Sequence, residues 1–202
     1  MSETDGVTAE RPDGLLNTTG WDHVTLIGSN AADTIEFYRD VLGMPLVMRQ
    51  PNLDRPEVEH LFFDAGDGRI VTFFVSDDRE STAEQEPGIG AVHHLAFRIA
   101  PEELGEIRDR LLEAGHDVSE YDRGAFHSLY TEDHNGLTIE LATDKYEIPD
   151  ERRGEVYARA QSLREAEGDE FVQSQHLEAA LEALDIPVEP YDLPEATAGR
   201  GT

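Results

Sequence analysis

The sequence predicts an α+β protein made of two tandem βαβββ modules and a C-terminal helical extension. The main observation is an internal repeat, because the order of one strand, one helix and three strands occurs twice along the chain. The second observation is a change to helical periodicity after residue 144. A chain of 202 residues can bury one compact core but not several independent ones.

The first module covers residues 21–76. Alternation of apolar and polar residues predicts a first strand in WDHVTLI, and the apolar spacing of NAADTIEFYRDVLG predicts an amphipathic helix that ends at Gly43. Three strand-like runs follow, which are MPLVMRQ, VEHLFFDA and RIVTFFV. The GDG sequence at 66–68 predicts the turn between the last two strands.

The second module covers residues 91–144 and repeats this order. Its first strand is AVHHLAFRI, and Pro101 and Gly115 mark the ends of the helix PEELGEIRDRLLEAG. Three strands follow in HDVSEYD, AFHSLYTED and LTIELAT, with turn residues HNG before the last. The two modules together span residues 21–144, and a stretch rich in Glu, Ser, Pro and Gly at 77–90 joins them.

The chain ends differ from this repeat. Residues 1–20 contain turn formers without periodicity and are predicted to be flexible. Residues 145–185 predict a helical extension with one break near Gly168. Residues 186–202 are rich in Pro, Gly, Ala and Thr and predict a flexible tail.

The charge balance excludes two classes of partner. The chain has 44 acidic and 16 basic residues, and its formal charge is −28. Nucleic acids and anionic membranes bind basic surfaces, so neither is expected to bind here. Lys145 is the sole lysine, and the acidic residues are spread along the chain. We interpret this composition as halophilic, an adaptation to a salt-rich cytoplasm; an acidic protein from an ordinary cell is the alternative.

Cysteine is absent, which excludes disulfides, thiolate metal ligands and cysteine nucleophiles. No run of about 18 apolar residues occurs, and the first residues are acidic and polar. The sequence therefore predicts a soluble, cytoplasmic protein. Any metal would be bound by nitrogen and oxygen atoms.

His23, His94 and Glu140 are the candidate metal ligands. The two histidines occupy the same position in the first strand of their modules, so alternation turns both to the same side of their sheets. Glu140 lies between Ile139 and Leu141, where a carboxylate is costly to bury without a partner. Such a set leaves about three positions open on Fe(II) or Mn(II). We therefore expect a curved mixed sheet around one metal site, although each residue alone could be structural.

The motifs WDHVTL, FYRDVLGM, HHLAF and GLTIELATD resemble the vicinal oxygen chelate superfamily. This superfamily includes glyoxalase I, extradiol dioxygenases, thiol transferases that inactivate fosfomycin, and bleomycin-binding proteins. The resemblance covers about Trp21 to Asp144 and implies the fold and the metal. The glutamate that glyoxalase I has in its first module falls on Thr72 or Phe73 here, so three-ligand members are the better comparison.

The second module is similar to dioxygenases that cleave hydroquinones, which have a paired histidine followed by an arginine and a tyrosine. By this resemblance His94 is the metal ligand, and His93 lies next to it and contacts it rather than the metal. Arg123 and Tyr130 face the substrate. Two features depart from the family pattern. This chain has two modules where the ring-cleaving enzymes commonly have four, and Asp22 precedes the first ligand where a histidine is frequent; its carboxylate could orient that imidazole.

Ring cleavage gives these roles a chemical reason. The site needs a positive group for the ionised diol and a proton carrier for later steps. Arg123 suits the first need, although it could instead pair with Asp122 on the surface. His93, His127 or Tyr130 suits the second, and alternation turns His127 away from Tyr130.

The resemblance therefore implies an Fe(II)-dependent extradiol-type dioxygenase that cleaves a catechol or hydroquinone ring with O₂. Mn(II), Ni(II) or Zn(II) are alternative metals. Two other interpretations stay open: a glyoxalase-like lyase, isomerase or thiol transferase, and a small-molecule binding protein of the resistance type. A homodimer is a further expectation that the resemblance implies, because many members of the superfamily form dimers. The helical extension could cover the site or form an interface.

Overall fold

The computed structural model describes residues 7–16, 18–81 and 88–196. The two predicted flexible ends and the predicted linker lie partly outside these ranges. Residues 7–16 and 18–22 contain no helix or strand, and the flexibility of the N-terminal segment stays a prediction.

The first module follows the predicted order. Strand β1 covers His23–Gly28, and helix α1 covers Ala31–Ile35 and continues as a π-helical segment over Glu36–Val41. The Asn30 side chain accepts a hydrogen bond from the Asp33 N–H and so caps α1. The remaining strands are β2 Leu46–Pro51, β3 Glu59–Asp64 and β4 Ile70–Val75.

The second module repeats this arrangement. Strand β5 covers His94–Arg98, and helix α2 covers Leu104–Glu113 after a short 3₁₀ turn at Pro101–Glu103. Three strands follow, which are β6 Ser119–Asp122, β7 Phe126–Glu132 and β8 Thr138–Asp144. The predicted pair of βαβββ modules is confirmed.

Each module forms its own four-stranded sheet, with strand orders β1-β4-β3-β2 and β5-β8-β7-β6. The first strand of each module pairs in parallel with the last, and the other neighbours are antiparallel. His23 pairs with Ile70, and His94 pairs with Thr138 at the equivalent position. The repeat therefore places both histidines at the start of the strand that borders β4 or β8.

One side of each sheet packs into a single apolar core that the two modules share. Polar contacts also join the modules, since the Tyr38 hydroxyl donates to Asp133 at 3.0 Å and the Ser29 N–H donates to Asn135 at 3.2 Å. The largest buried core side chains are Tyr38, Leu61, Phe63, Phe73, Leu104, Leu129 and Ile139.

The other side of each sheet, named here the open face, is exposed along β1 and β5. Exposure alternates along both strands, and the residues that face the core are half-buried. The exposed residues are His23, Thr25 and Ile27 in β1, and His94, Ala96 and Arg98 in β5. Both predicted metal-binding histidines therefore lie on open faces.

The C-terminal extension is a hairpin of helices α3, Arg153–Glu167, and α4, Ser174–Ala183. It has a small apolar core of its own, and the break predicted near Gly168 is the loop between the helices. Three ion pairs hold it to the second sheet: Arg153 with Asp144, Arg98 with Asp150, and Lys145 with Asp122.

Part of the predicted flexible tail is packed. Ile186 belongs to the apolar core of the extension, and the Tyr191 N–H donates to the Lys145 carbonyl at 3.0 Å.

In the described ranges, no helix combines the length and hydrophobicity needed to cross a membrane. The cytoplasmic location and the halophilic interpretation of the acidic composition stay predictions.

Gly124 lies in the β6–β7 turn, directly against the loop between α3 and α4. Its φ is +84°, and a Cβ atom there would lie 2.6 Å from the Val172 carbonyl oxygen. We expect Gly124→Ala to lower the free energy of unfolding by about 1–3 kcal/mol, because both the backbone conformation and the contact oppose a methyl group. Urea unfolding measures this change.

Gly154→Ala is the matched control for this prediction. Gly154 lies in α3 with open space around it, so alanine should leave the stability equal or raise it. Equal stabilities of the two variants would contradict the tight packing at Gly124.

Candidate metal centre and substrate site

His94 and Glu140 face each other on the open face of the second sheet. The His94 Nε2 lies 3.0 Å from the Glu140 Oε2, and the glutamate side chain is only 5% exposed. Two ligand atoms at about 2.1 Å from one metal, with a right angle between them, are about 3.0 Å apart. The pair therefore fits two adjacent positions around a divalent metal.

The Glu140 carboxylate is held in place through its other oxygen. Ser128 Oγ donates to Oε1 at 2.6 Å, and the Tyr130 hydroxyl donates to the same atom at 2.8 Å. Oε2 is thus directed towards His94. Ser128 is a site residue that the sequence reasoning missed, although alternation along β7 places it on the same face as Tyr130.

His93 contacts the candidate ligand itself. Its Nδ1 lies 2.9 Å from the His94 Nδ1, so one of the two nitrogens carries the shared proton. Were a metal bound at the His94 Nε2, the His94 Nδ1 would carry the proton and donate a hydrogen bond to His93. In that state His93 would hold the tautomer and the ring orientation of His94.

The side chain of Asp22 orients the His23 ring through a similar contact at Nδ1. Asp22 Oδ1 lies 2.6 Å from the His23 Nδ1, which keeps the proton there and leaves Nε2 free to bind a metal. Within the described chain, however, the ligand atoms of His23, His94 and Glu140 do not all lie within 4.8 Å of one another. The structure thus brings together two of the three predicted ligands, and His23 is on the open face of the other sheet.

Arg123 lies beside Tyr130, as the resemblance implies. Its Nε is 3.4 Å from the Tyr130 hydroxyl, and its guanidinium lies 4.6 Å from the centre of the Tyr121 ring. The alternative pairing with Asp122 is not observed, because Asp122 binds Lys145 Nζ at 2.9 Å. Arg123 forms no ion pair with any carboxylate of the described residues.

Burial raises the pKa of the Tyr130 phenol, and its hydrogen bond to Glu140 raises the pKa further. The nearby Arg123 guanidinium acts in the opposite direction but does not reverse the shift. A tyrosine whose pKa lies above its usual range keeps its proton at neutral pH. The protonated hydroxyl is a hydrogen-bond donor, and the raised pKa makes it a weaker acid than the hydroxyl of an ordinary tyrosine.

His127 lies on the core side of the second sheet. Its Nε2 is 2.9 Å from Glu120 Oε1, and both side chains are buried. The orientation expected from alternation is confirmed, and His127 is not available to a substrate on the open face.

A second group of potential ligands lies in the extension. Its members are Glu167, Asp169 and His176, and both carboxylates are 3.2 Å from the His176 Nε2. The His176 Nδ1 accepts the Gln173 N–H at 2.9 Å, so the ring proton must be on Nε2. Because that proton points at the carboxylates, the group is satisfied as a hydrogen-bonded link between α3 and α4.

Residues 20–141, more than half of the chain, match the family described as the Glyoxalase/Bleomycin resistance protein/Dioxygenase superfamily. The chain belongs to this superfamily. The resemblance inferred from the sequence motifs is confirmed, and the family contains metal-dependent enzymes.

Named relatives include dioxygenases. MhqE of Bacillus subtilis (strain 168), provisionally named a ring-cleaving dioxygenase, is 27% identical over 132 residues, which are 64% of this chain and 43% of MhqE. A solved structure from Bacillus subtilis, provisionally described as a dioxygenase, is 26% identical with a TM-score of 0.54, and the match covers 64% of this chain and 42% of that one. The chain spans less than half of the length of these relatives.

A second solved structure shows the fold alone. The fosfomycin resistance protein FosX from Listeria monocytogenes has a TM-score of 0.50 and 21% identity, and the match covers 63% of this chain and 95% of FosX. The fold therefore occurs in proteins that are named for different activities.

Proposed function

We propose that this chain is an Fe(II)-dependent extradiol-type dioxygenase that opens the ring of a catechol or hydroquinone with O₂. The observation that carries this proposal is a continuous line of contacts on one open face. The line runs from His94 through Glu140 and Tyr130 to Arg123. It places a pair of potential metal ligands, a proton donor and a positive charge next to one another. The similarity to MhqE supports the same reaction class.

We propose His23, His94 and Glu140 as the metal ligands. Two imidazole nitrogens and one carboxylate suit Fe(II), and the same atoms would also accept Mn(II), Ni(II) or Zn(II). Bound iron would supply open positions at which the diol and O₂ meet and exchange electrons. The protein's own contribution is to orient the ligands, which Asp22 and His93 do through the Nδ1 atoms of the two imidazoles.

Two residues act on the substrate in this proposal. Arg123 binds the ionised hydroxyl of the diol, because its guanidinium has no carboxylate partner among the described residues. Tyr130 acts as a hydrogen-bond donor and proton carrier beside the substrate, since its protonated hydroxyl lies between Glu140 and Arg123. In this proposal His93 acts through its contact with the His94 ring.

We further propose that a homodimer completes the site, with His23 of a second copy lying next to His94 and Glu140. The open faces of β1 and β5 are exposed in one chain, whereas a metal pocket has to exclude bulk water. Large apolar side chains are also exposed on or near the first open face, including Trp21 (51%), Ile27 (65%) and Met48 (42%). Burying such a patch against another copy would stabilise the dimer.

Oxygen uptake tests the proposed reaction. Protein loaded with Fe(II) under anaerobic conditions should consume O₂ when catechol, hydroquinone or methylhydroquinone is added, and the aromatic absorbance should give way to that of a ring-opened product. Arg123→Ala should lower this rate by roughly 100-fold while the metal content is unchanged, because the arginine binds charge on the substrate. Arg159→Ala, at an exposed position of α3, is the matched control.

Other results of these assays would identify a different function. No oxygen uptake with any diol, together with turnover of a thiol adduct of methylglyoxal by the Mn(II) or Ni(II) protein, would identify a glyoxalase-like lyase or isomerase. Transfer of a thiol to a small electrophile would identify a transferase. A metal-free protein that binds an aromatic compound without changing it would be a binding protein.

A further inference from the structure

We infer that the helical extension completes a cavity for an anionic substituent of the substrate, with Arg123 as the charged contact and Phe171 as an aromatic wall. This inference rests on the proposed function and narrows its substrate class to aromatic diols that bear a carboxylate on a short side chain. It also answers whether the extension covers the site, because it assigns the α3–α4 loop to the substrate pocket.

The cavity lies between the β6–β7 turn and the loop that joins α3 and α4, and its volume is about 480 Å³. Small-molecule sites commonly have volumes of about 300–1,000 Å³. One wall is formed by residues 122–124 with Lys145, and the other by residues 171–175. Because the family match ends at residue 141, the second wall is outside the part of the chain shared with the family.

The charges that line the cavity favour an anion. Lys145 Nζ binds both carboxylate oxygens of Asp122, at 3.1 and 2.9 Å, and Ser174 Oγ at 3.0 Å. Asp122 also accepts the Gly124 N–H at 2.8 Å. These contacts occupy Asp122 and keep it from pairing with Arg123. The two cations and one carboxylate in the lining therefore leave one positive charge, on Arg123, in a chain whose formal charge is −28.

The opposite wall offers an aromatic surface at a fixed position. Phe171 lines the cavity and is 66% exposed, so its ring is accessible to a ligand. The next residue, Val172, packs against the core of the extension, and its carbonyl oxygen lies too close to Gly124 to admit a Cβ atom there. The loop is thus seated directly on the turn that holds Arg123.

Arg123, which lines the cavity, connects it to the candidate metal ligands through a contact with Tyr130. Tyr130 donates to Glu140 at 2.8 Å, and its hydroxyl is 3.4 Å from the Arg123 Nε. In the proposed function the Arg123 guanidinium binds the ionised hydroxyl of a diol held next to His94 and Glu140, and it has further N–H donors that this hydroxyl does not use. We expect a carboxylate on a short arm of that ring to bind these remaining donors through charge-assisted hydrogen bonds.

Binding of 2,5-dihydroxyphenylacetate and its methyl ester tests the inference. Calorimetry on the full-length protein under anaerobic conditions, where turnover is blocked, should show about tenfold tighter binding of the acid than of the ester. Arg123→Gln should remove this preference, and Arg159→Gln should retain it. Phe171→Ser, at an exposed position, should weaken both ligands several-fold without removing the preference.

Lys145 keeps Asp122 away from Arg123, and a pair of substitutions separates this role from an effect of Lys145 on the stability of the fold. In Lys145→Met, Asp122 is free to pair with Arg123, so the preference for the acid should disappear. Adding Asp122→Asn to Lys145→Met should restore the preference, because no carboxylate then competes for Arg123. A loss caused by misfolding alone would not be rescued by the second substitution.

Equal binding of the acid and the ester by the wild-type protein would overturn the inference, and so would an acid preference that survives Arg123→Gln. Oxygen uptake with methylhydroquinone in that case would leave the dioxygenase proposal intact. Conversely, an acid preference that depends on Arg123, with no oxygen uptake from any diol, would support the cavity and overturn the dioxygenase reaction.

Discussion

Replacing either His94 or Glu140 by alanine is expected to reduce bound divalent metal from about one ion per chain to nearly none. The two side chains face each other at 3.0 Å, so each would supply one of only three protein ligands. Loss of one of three leaves two donors, which cannot compete with water and buffer for a divalent ion. Elemental analysis of the purified variants after dialysis measures the effect.

His23→Ala should have the same result if His23 is the third ligand. Glu132→Ala is the control, because this carboxylate is exposed in β7, the strand that also holds Ser128 and Tyr130. Full metal retention in any two of the His23, His94 and Glu140 variants would remove the triad from consideration. Metal loss in Glu132→Ala would show instead that binding responds to surface charge.

The architecture of the modules could be predicted from the sequence because the same order of strands, helix and turn residues occurs twice. The pattern around His23 and the pattern around His94 each predicted a first strand, and the structure has both residues at its start. Such features depend on interactions between residues that are close in sequence, as side-chain alternation and helix ends do. The packed start of the tail at Ile186 was not predicted, because its contacts are with distant residues of the extension.

The candidate site was only partly predictable for the same reason. Alternation places Tyr130 and Glu140 on one face, and the structure joins them at 2.8 Å. The neighbours Asp122 and Arg123 suggested an ion pair, but Lys145, which follows 23 residues later, takes the carboxylate instead. Competition between partners is a tertiary effect that sequence adjacency cannot resolve.

The position of His23 shows the limit of an argument from repeats. Superposing two modules shows that His23 and His94 are equivalent within their own sheets, but it does not determine which open faces meet. In this structure the core sides of both sheets pack together and the open faces of β1 and β5 remain exposed. The proposed metal site takes the second histidine from another copy of the chain, and mixed dimers test this proposal.

A heterodimer of the His23→Ala and Glu140→Ala chains should bind half as much metal per chain as the wild type. If each site takes His23 from one copy and His94 with Glu140 from the other, one of the two sites in this heterodimer keeps all three ligands. The other site lacks two of them. Co-expression with two different affinity tags, followed by tandem purification, isolates the mixed species, and elemental analysis gives its metal content.

The matched control is a heterodimer of the His94→Ala and Glu140→Ala chains. Both of these ligands come from the same copy, as their 3.0 Å separation within one chain shows, so each site of this heterodimer lacks one ligand and should be empty. A site built within a single chain predicts no metal in either heterodimer, since every chain then carries a defect. Metal in the first heterodimer together with its absence from the second is the result that only a site shared between two copies can produce, whereas a wild-type protein that is monomeric with full metal content would contradict the shared site.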